Sequence, residues 1–310
     1  MQWNGVMPAM TTAFHPDLSI DHEFISRHAH WMLANGCTGL VMLGSLGEGA
    51  TLNEDEKIAI LRNITASVAG RAPVVAAISA LSTAGAVRLA KESEQAGCAG
   101  LMVLPPYVYS SDWREMRTHV SAILAATALS CMLYNNPVAY QTDFLPEQIA
   151  ELAALHQNLH AVKESSADIR RVAAIRSLLA DRLSILVGVD DAVVEGVSAG
   201  AVGWIAGLVN AFPAESVALF HLAQTGKREE AFELYRWFLP LLRMDTVPKF
   251  VQLIKYVQQE LGIGSARVRP PRLGLEGDEL SDARQKLRHA LATRPRLTTT
   301  SFTEFVGARA

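Results

Sequence analysis

The stretch LANGCTGLVMLG, residues 33–44, links the end of a helical pattern to a fully apolar run through a glycine. Two other stretches, EQAGCAGLMVLP (94–105) and VSAGAVGWIAGL (197–208), have the same form. In each stretch the glycine suits the left-handed position that follows a helix, and the apolar run predicts a strand buried on both faces. The chain therefore contains the same helix-to-strand junction three times.

Five more apolar runs have the length of strands and bring the number to eight. They are GVMPAMTTA (5–13), PVVAAIS (73–79), SCMLYN (130–135), HAVKES (160–165) and SILVGV (184–189). Segments with helical periodicity separate successive runs, which indicates a parallel sheet covered by helices. Eight such units within about 210 residues predict a (β/α)8 TIM barrel. The alternative, an open doubly wound sheet, usually has a G-x-G-x-x-G turn after its first strand, and residues 5–13 are followed by none.

The chain beyond Phe212 shows helical periodicity and no further strand pattern. Residues 213–226, 227–243 and 249–262 each read as an amphipathic helix. The sequence thus predicts a barrel over residues 1–225, a C-terminal helical appendage over 226–295 and a polar tail over 296–310.

The composition limits the partners and the compartment. The 310 residues are 50% hydrophobic and have a formal net charge of -3, so no basic surface for nucleic acid is expected. The N-terminus lacks the pattern of a signal peptide, and no apolar run reaches membrane-spanning length, so we expect a cytoplasmic protein without membrane contact. Cys37, Cys98 and Cys131 are widely spaced and predict reduced packing residues rather than disulfides or a metal site.

Lys163 is the only lysine at the end of a predicted strand, where the active sites of these barrels lie. Burial there would lower its pKa and make the amine a nucleophile toward carbonyl carbon; the alternative is a lysine whose stem covers apolar surface while its head reaches water. Tyr134 ends the neighbouring strand at an equivalent height. Its phenol could shuttle protons, or its ring could simply cap the barrel.

The turn GSLGEGA, residues 44–50, contains glycines that let main-chain N–H groups approach an anion such as a carboxylate; the alternative is a tight turn without a ligand. Glu48 is expected to serve the structure rather than catalysis. None of the nine histidines ends a predicted strand, so we expect no metal. We expect no cofactor either, because a lysine imine would act as the electron sink.

Four segments carry a resemblance to a known family: GSLGEGATLNEDEK, YNNP, VKESSAD and GVDDAVVEGVSAGAVGWIAGLVN. In order and spacing, from about residue 4 to about residue 265, the sequence resembles the dihydrodipicolinate synthase and N-acetylneuraminate lyase family of class I, Schiff-base lyases. The resemblance implies a barrel with a three-helix C-terminal extension, a small-molecule 2-oxo acid or cyclic imine as substrate, and a homotetramer or homodimer.

The resemblance also implies roles for individual residues. Lys163 would form the imine, Tyr134 would act as acid and base, and Ile205 would place a carbonyl near the lysine. Acidic groups after strand 7 would receive substrate hydroxyls, as in the sugar-acid lyases. The complete set of candidate substrate-binding residues is Gly44, Ser45, Leu46, Gly47, Ser165, Asp190, Asp191, Ile205, Tyr107 and Tyr109.

Three departures from the family pattern shape the expected reaction. No arginine follows YNNP to bind the second carboxylate of an aldehyde, Leu46 replaces a hydroxyl residue, and Val108 replaces a tyrosine. Dihydrodipicolinate synthesis is therefore disfavoured, and the combination with YNNPxxY favours deamination and dehydration of 1-pyrroline-4-hydroxy-2-carboxylate. The alternatives are an aldolase or dehydratase acting on a 2-keto-3-deoxy sugar acid or 4-hydroxy-2-oxo acid, and a noncatalytic metabolite-binding barrel. Retention of both Lys163 and Tyr134 speaks against the last of these.

Overall fold

Eight parallel strands form a nearly closed barrel in the computed structural model, which describes residues 1–107 and 112–297. The strands are β1 (Gly5–Pro8), β2 (Leu40–Met42), β3 (Val74–Ile78), β4 (Gly100–Val103), β5 (Ser130–Asn135), β6 (Leu159–Glu164), β7 (Ser184–Val187) and β8 (Gly203–Ala206). Their order is β1-β8-β7-β6-β5-β4-β3-β2. A parallel bridge between Ala9 and Val41 brings the two ends of the sheet together. The predicted TIM barrel is confirmed.

Helices separate the strands in the described chain. They are α1 (His22–Ala34), α2 (Glu54–Val68), α3 (Thr83–Gln95), α4 (Trp113–Ala125), α5 (Pro137–Tyr140), α6 (Pro146–Leu155), α7 (Arg170–Leu179), α8 (Val193–Ser198) and α9 (Pro213–Gln224). Three more follow: α10 (Arg228–Leu242), α11 (Phe250–Glu260) and α12 (Gly277–Ala292). The division at residues 225 and 226 stays a prediction, and most of the tail over 296–310 lies outside the described residues.

The three repeated junctions have the backbone geometry that their glycines predict. Gly36, Gly97 and Gly200 have φ values of 92°, 87° and 108°, in the left-handed region that residues with a Cβ rarely adopt. Each glycine reverses the chain after a helix, so that the following apolar run enters the barrel. The strands are almost entirely buried, which explains why their sequences do not alternate between apolar and polar residues. Cys37, Cys98 and Cys131 are buried and free, as predicted.

A buried ion pair fixes the C-terminal helices to the loop after β2. Lys255 on α11 donates to Glu48 at 2.7 Å and to the carbonyl of Thr12 at 2.8 Å, and both charged side chains are almost fully buried. The main-chain N–H of Arg269 donates to the other Glu48 oxygen at 2.9 Å. Glu48 thus serves the structure, as expected, and the C-terminal helices rest against the same end of the barrel as the predicted site.

Candidate active site

Lys163 and Tyr134 lie side by side at the ends of adjacent strands. The two residues are paired in the register of β5 and β6, and Lys163 Nζ lies 4.0 Å from the centroid of the Tyr134 ring. The register agrees with the equivalent heights expected for the two residues. The amine lies over the face of the tyrosine ring. No hydrogen bond joins the phenol oxygen to the amine in the described structure.

The Lys163 amine is buried and uncommitted. Burial lowers its pKa to about 8, while the carboxyl groups of Asp245 and Asp190 act in the opposite direction. Within the described residues, Lys163 Nζ makes no hydrogen bond and has no carboxylate oxygen within ion-pair distance. A substantial fraction of the lysine is therefore neutral near pH 8, and the amine is available to attack a carbonyl carbon.

Gly188, just after β7, makes room for the lysine. A Cβ at this position would lie 2.6 Å from Lys163 Cε and 1.9 Å from Ser165 Oγ. Ser165 is 2% exposed, and its hydroxyl lies near the Tyr134 phenol but has no hydrogen-bond partner of ordinary geometry in the described part of the chain. A buried hydroxyl without a partner is rare in folded proteins, so Ser165 beside Lys163 indicates a group that a ligand would satisfy.

The Tyr134 phenol is neutral over the physiological range. Burial raises its pKa to about 12, against the effect of nearby Asn136 and Ser165. Asn136 Nδ2 donates to the phenol oxygen at 3.0 Å. The phenol proton is therefore free to be donated to another acceptor, which general acid catalysis requires.

Tyr140 joins this group although the sequence did not single it out as a site residue. Its hydroxyl is hydrogen-bonded to Ser45, and its ring stands edge-on to that of Tyr134 at 5.8 Å. On its other side it contacts the ring of Tyr107, whose hydroxyl accepts from Ser79 at 3.1 Å. Tyr109 lies outside the described residues.

The turn after β2 has free main-chain donors. The N–H groups of Glu48 and Gly49 donate to the carbonyls of Ser45 and Gly44 at 3.1 and 3.2 Å. Those of Ser45, Leu46 and Gly47 have no acceptor among the described residues. Three successive free N–H groups at a tight turn suit an anion. The Leu46 side chain itself is buried in the core and contributes only its backbone.

Asp190 and Asp191 already have protein partners. Asp190 is fully buried, and its carboxylate accepts from the indole of Trp204 at 3.0 Å and from the main-chain N–H groups of Gly207 and Leu208. Asp191 turns toward the C-terminal helices, where its side chain lies 3.4 Å from Arg243. Contact of either carboxylate with substrate stays a prediction.

Asp245 brings a third carboxyl group to this end of the barrel. It lies in the turn Arg243–Thr246, which packs against the turn Asp190–Ala192. Its carboxyl occupies the space beside Gly207, where a Cβ would lie 2.0 Å from Oδ1. Ile205 lies two residues earlier in β8, buried and opposite Met7 in register. The role of the Ile205 carbonyl stays a prediction.

Comparison with known proteins identifies the family. The model of the dihydrodipicolinate synthetase family matches residues 2–290. A 4-hydroxy-tetrahydrodipicolinate synthase of Moorella thermoacetica is 32% identical over 280 residues, covering 90% of this chain and 95% of its own. One from Xanthomonas axonopodis pv. citri is 35% identical over 232 residues, covering 74% and 76%. The chain belongs to the dihydrodipicolinate synthetase family.

A solved structure agrees with this assignment. The 4-hydroxy-tetrahydrodipicolinate synthase of Methylacidiphilum fumariolicum SolV superposes with a TM-score of 0.90 at 28% identity, covering 94% of this chain and 97% of its own. As a member of the dihydrodipicolinate synthetase family, the protein is a Schiff-base-forming lyase. The family resemblance implied this class, and Lys163 at a strand end was its candidate imine-forming residue.

The expected reaction within the family was wrong. Departures from the family pattern disfavoured dihydrodipicolinate synthesis and favoured deamination of 1-pyrroline-4-hydroxy-2-carboxylate, yet relatives at 30–35% identity are named 4-hydroxy-tetrahydrodipicolinate synthase. The expectation rested on three departures from the family pattern: the missing arginine after YNNP, Leu46 and Val108. Such absent side chains do not determine the reaction, because a carboxylate can also be held by main-chain N–H groups and other hydroxyls. Membership of a non-synthase branch is likewise not confirmed.

Tyr140 and Asp245 are the site residues that sequence reasoning missed. Tyr140 stands six residues after Tyr134, and Pro137 starts the short helix α5 that turns it back toward the mouth. That spacing was visible in YNNPVAY. Asp245 gave no comparable signal, because the turn that carries it meets the barrel only through tertiary packing. The described residues contain no group of three or more His, Cys, Asp or Glu side chains that could hold a metal ion.

Proposed function

We propose that the protein catalyses the reaction for which its curated relatives are named, the formation of 4-hydroxy-tetrahydrodipicolinate. The carbon skeleton of that product separates at its aldol bond into pyruvate and aspartate semialdehyde. Pyruvate would be held as an imine on Lys163, and its methyl carbon would add to the aldehyde. The observation that carries the proposal is the buried Lys163 amine, which has no partner in the described structure and a pKa lowered to about 8.

The first half of the reaction would form the imine. Neutral Lys163 attacks the 2-oxo carbon, the carbinolamine loses water, and the resulting iminium makes the adjacent methyl group acidic. The three free N–H groups of Ser45, Leu46 and Gly47 would bind the pyruvate carboxylate. The glycines at 44 and 47 allow the backbone to come close to that anion.

The second half would form the carbon–carbon bond. Loss of a methyl proton gives an enamine, which attacks the aldehyde carbon, and a neutral phenol protonates the new alkoxide. Tyr134 would serve as this acid, with Tyr140 and Ser45 as the hydroxyls next in line. The amino group of the second substrate then adds to the iminium carbon, and the bond from that carbon to Lys163 Nζ breaks. The ring imine leaves, and the free lysine amine is restored. Residues 136–142 contain no arginine, so the carboxylate of the aldehyde would be held by hydroxyl and main-chain donors such as those of Tyr107 and Tyr140.

The test separates imine formation from condensation. The protein is incubated with pyruvate and borohydride, and Lys163 is examined for the reduced adduct by peptide mass spectrometry, with Lys163→Ala as the control. A second assay follows product formation from pyruvate and aspartate semialdehyde. The absence of any adduct would reject the imine. An adduct without product would retain the imine and reject the synthase reaction.

The oligomeric state and the cellular location of the protein are also proposals. We propose a homotetramer or homodimer, supported by the exposure of Leu81 and Val138 near the mouth, at 78% and 69%. One solved relative, 26% identical with a TM-score of 0.87, is a monomeric dihydrodipicolinate synthase variant, so light scattering after size exclusion is the deciding measurement.

No helix in the described part of the chain is long and apolar enough to cross a membrane. Fractionation of the native host would test the proposed cytoplasmic location.

A further inference from the structure

One buried side chain ties the turn with the free main-chain N–H groups to the loop after β1. Thr12 lies in that loop, and its hydroxyl donates to the carbonyl of Gly47 at 2.6 Å. Thr12 is 1% exposed, so the hydrogen bond is shielded from water. Because a peptide unit is rigid, this bond fixes the direction of the whole peptide plane that joins Gly47 to Glu48.

Gly47 needs such a restraint from outside the turn. A Cβ at this position would lie 2.8 Å from the carbonyl oxygen of Met10, so the close approach to the loop after β1 requires a glycine. Glycine is also the residue whose backbone rotates most freely. Main-chain N–H groups bind an anion tightly when they already point to one place, and ordering them on binding costs affinity. The hydrogen bond from Thr12 therefore supplies order that the glycine cannot supply.

Lys255 on α11 holds both sides of this contact. Its ammonium donates to the Thr12 carbonyl at 2.8 Å and to the Glu48 carboxylate at 2.7 Å. Glu48 has a φ of 54°, a left-handed backbone that is unfavourable for a residue with a Cβ. The loop after β1, the turn after β2 and α11 are thus joined by one set of buried hydrogen bonds, which holds the turn in this conformation.

We propose that Thr12 is a positioning residue that sets the affinity of the turn 45–47 for the carboxylate of a 2-oxo acid. The proposal rests on the proposed binding of pyruvate at this turn. The Thr12 hydroxyl is committed to Gly47, so Thr12 would act through the turn and not on the substrate itself. Lys163 has no part in this set of hydrogen bonds. Loss of the Thr12 hydroxyl should therefore weaken binding of the carboxylate and leave the reactivity of the bound ketone unchanged.

The neighbouring threonine provides a matched control. Thr11 is also buried, and its hydroxyl donates to Gln258 Oε1 on α11 at 3.0 Å. This hydrogen bond leads away from the turn. Thr11→Val therefore removes a buried hydroxyl and its hydrogen bond, one position earlier in the chain, without touching Gly47.

The test measures the rate of borohydride labelling of Lys163 over a range of concentrations of two ketones. One is pyruvate, and the other is methyl pyruvate, which has the same ketone but no charged carboxylate. In Thr12→Val, which keeps the shape and loses the hydroxyl, the half-saturating concentration of pyruvate should rise about 10-fold, the effect of one hydrogen bond. The limiting rate should not change, and neither should the half-saturating concentration of methyl pyruvate.

Two further variants should match wild type with both ketones. They are Thr11→Val and Thr12→Ser, which keeps the hydroxyl. A general loss of structure would instead change the response to pyruvate and to its ester alike, so an equal rise for both ketones in Thr12→Val would overturn the proposal.

The other outcomes separate this proposal from the proposed function. No labelling of wild type would reject the imine itself. Equal half-saturating concentrations of pyruvate and its ester in wild type would reject the turn as a carboxylate site, and this proposal with it, but retain the imine. An unchanged half-saturating concentration of pyruvate in Thr12→Val would reject the role of Thr12 and leave the proposed function standing.

A second variant covers the case in which Thr12→Val does not fold, as judged by thermal unfolding. Thr12→Ala also lacks the hydroxyl, but it places no methyl group against the Gly47 carbonyl. The same rise with pyruvate alone is expected, and a wild-type response to pyruvate would overturn the proposal.

Discussion

Gly188 packs against the side chain of Lys163, so closely that a Cβ on the glycine would lie 2.6 Å from Cε and 2.8 Å from Cγ of the lysine. Real Cβ atoms do not approach carbon so closely, so the two positions depend on each other. The glycine that follows β7 therefore helps to position the lysine side chain on β6.

Gly188→Ala should displace the amine without unfolding the barrel. A shift of about 1 Å in a reacting group can cost about 100-fold in rate, and we expect a loss of this order in borohydride labelling with pyruvate. Gly274→Ala is the matched control, because nothing lies within 4 Å of a Cβ placed there. Wild-type labelling in Gly188→Ala would show that the lysine does not need this space.

The pH dependence of imine formation follows from the pKa of Lys163. Only the neutral amine attacks, so the labelling rate should rise with pH through the lysine pKa. Because burial lowers that pKa from 10.5 to about 8, the midpoint of the rising limb is expected near pH 8. The initial rate of labelling with pyruvate, measured in a series of buffers at constant ionic strength, gives the midpoint. A midpoint near 10.5 would mean that the amine is solvated as in free lysine.

The barrel and the Lys163–Tyr134 pair were predictable because they depend on short-range rules. A glycine after a helix, as at 36, 97 and 200, and an apolar run after it are local signals, and adjacent strands bring equivalent ends together. Tyr140 and Asp245 were not singled out, since their places depend on a four-residue helix and on the docking of the C-terminal helices. The reaction was misjudged because one sequence shows which side chain is missing but not which other groups replace it.

Tyr140→Phe tests the hydroxyl group that lies between Ser45 and the Tyr134 ring. The ring remains against Tyr134, but the hydrogen bond to Ser45 is lost. We expect synthase activity to fall roughly 10-fold, the equivalent of one hydrogen bond, with little change in thermal stability. Ser45→Ala should have a similar effect, and the double variant should lose less than the product of the two.

The control for this pair is Tyr256→Phe. The Tyr256 hydroxyl is also buried but has no partner among the described residues, so its removal should leave activity unchanged. If the loss of synthase activity in the double variant equals the product of the losses in Tyr140→Phe and Ser45→Ala, the two hydroxyls act independently.

The Glu48–Lys255 ion pair should contribute strongly to the stability with which the C-terminal helices pack on the barrel. Glu48→Gln leaves the Lys255 ammonium buried without its counter-charge, and breaking a buried pair in this way typically costs about 3–5 kcal/mol. We expect a loss of that size in the free energy of unfolding, measured with urea. Asp282→Asn breaks an exposed pair with Lys286 and should change the free energy of unfolding by no more than about 0.5 kcal/mol.

Glu48→Gln combined with Lys255→Met removes the buried, unpaired ammonium of Lys255, so the double variant should be more stable than Glu48→Gln alone. Equal stability of the two would mean that water reaches Lys255 and that the pair does not hold the helices in place.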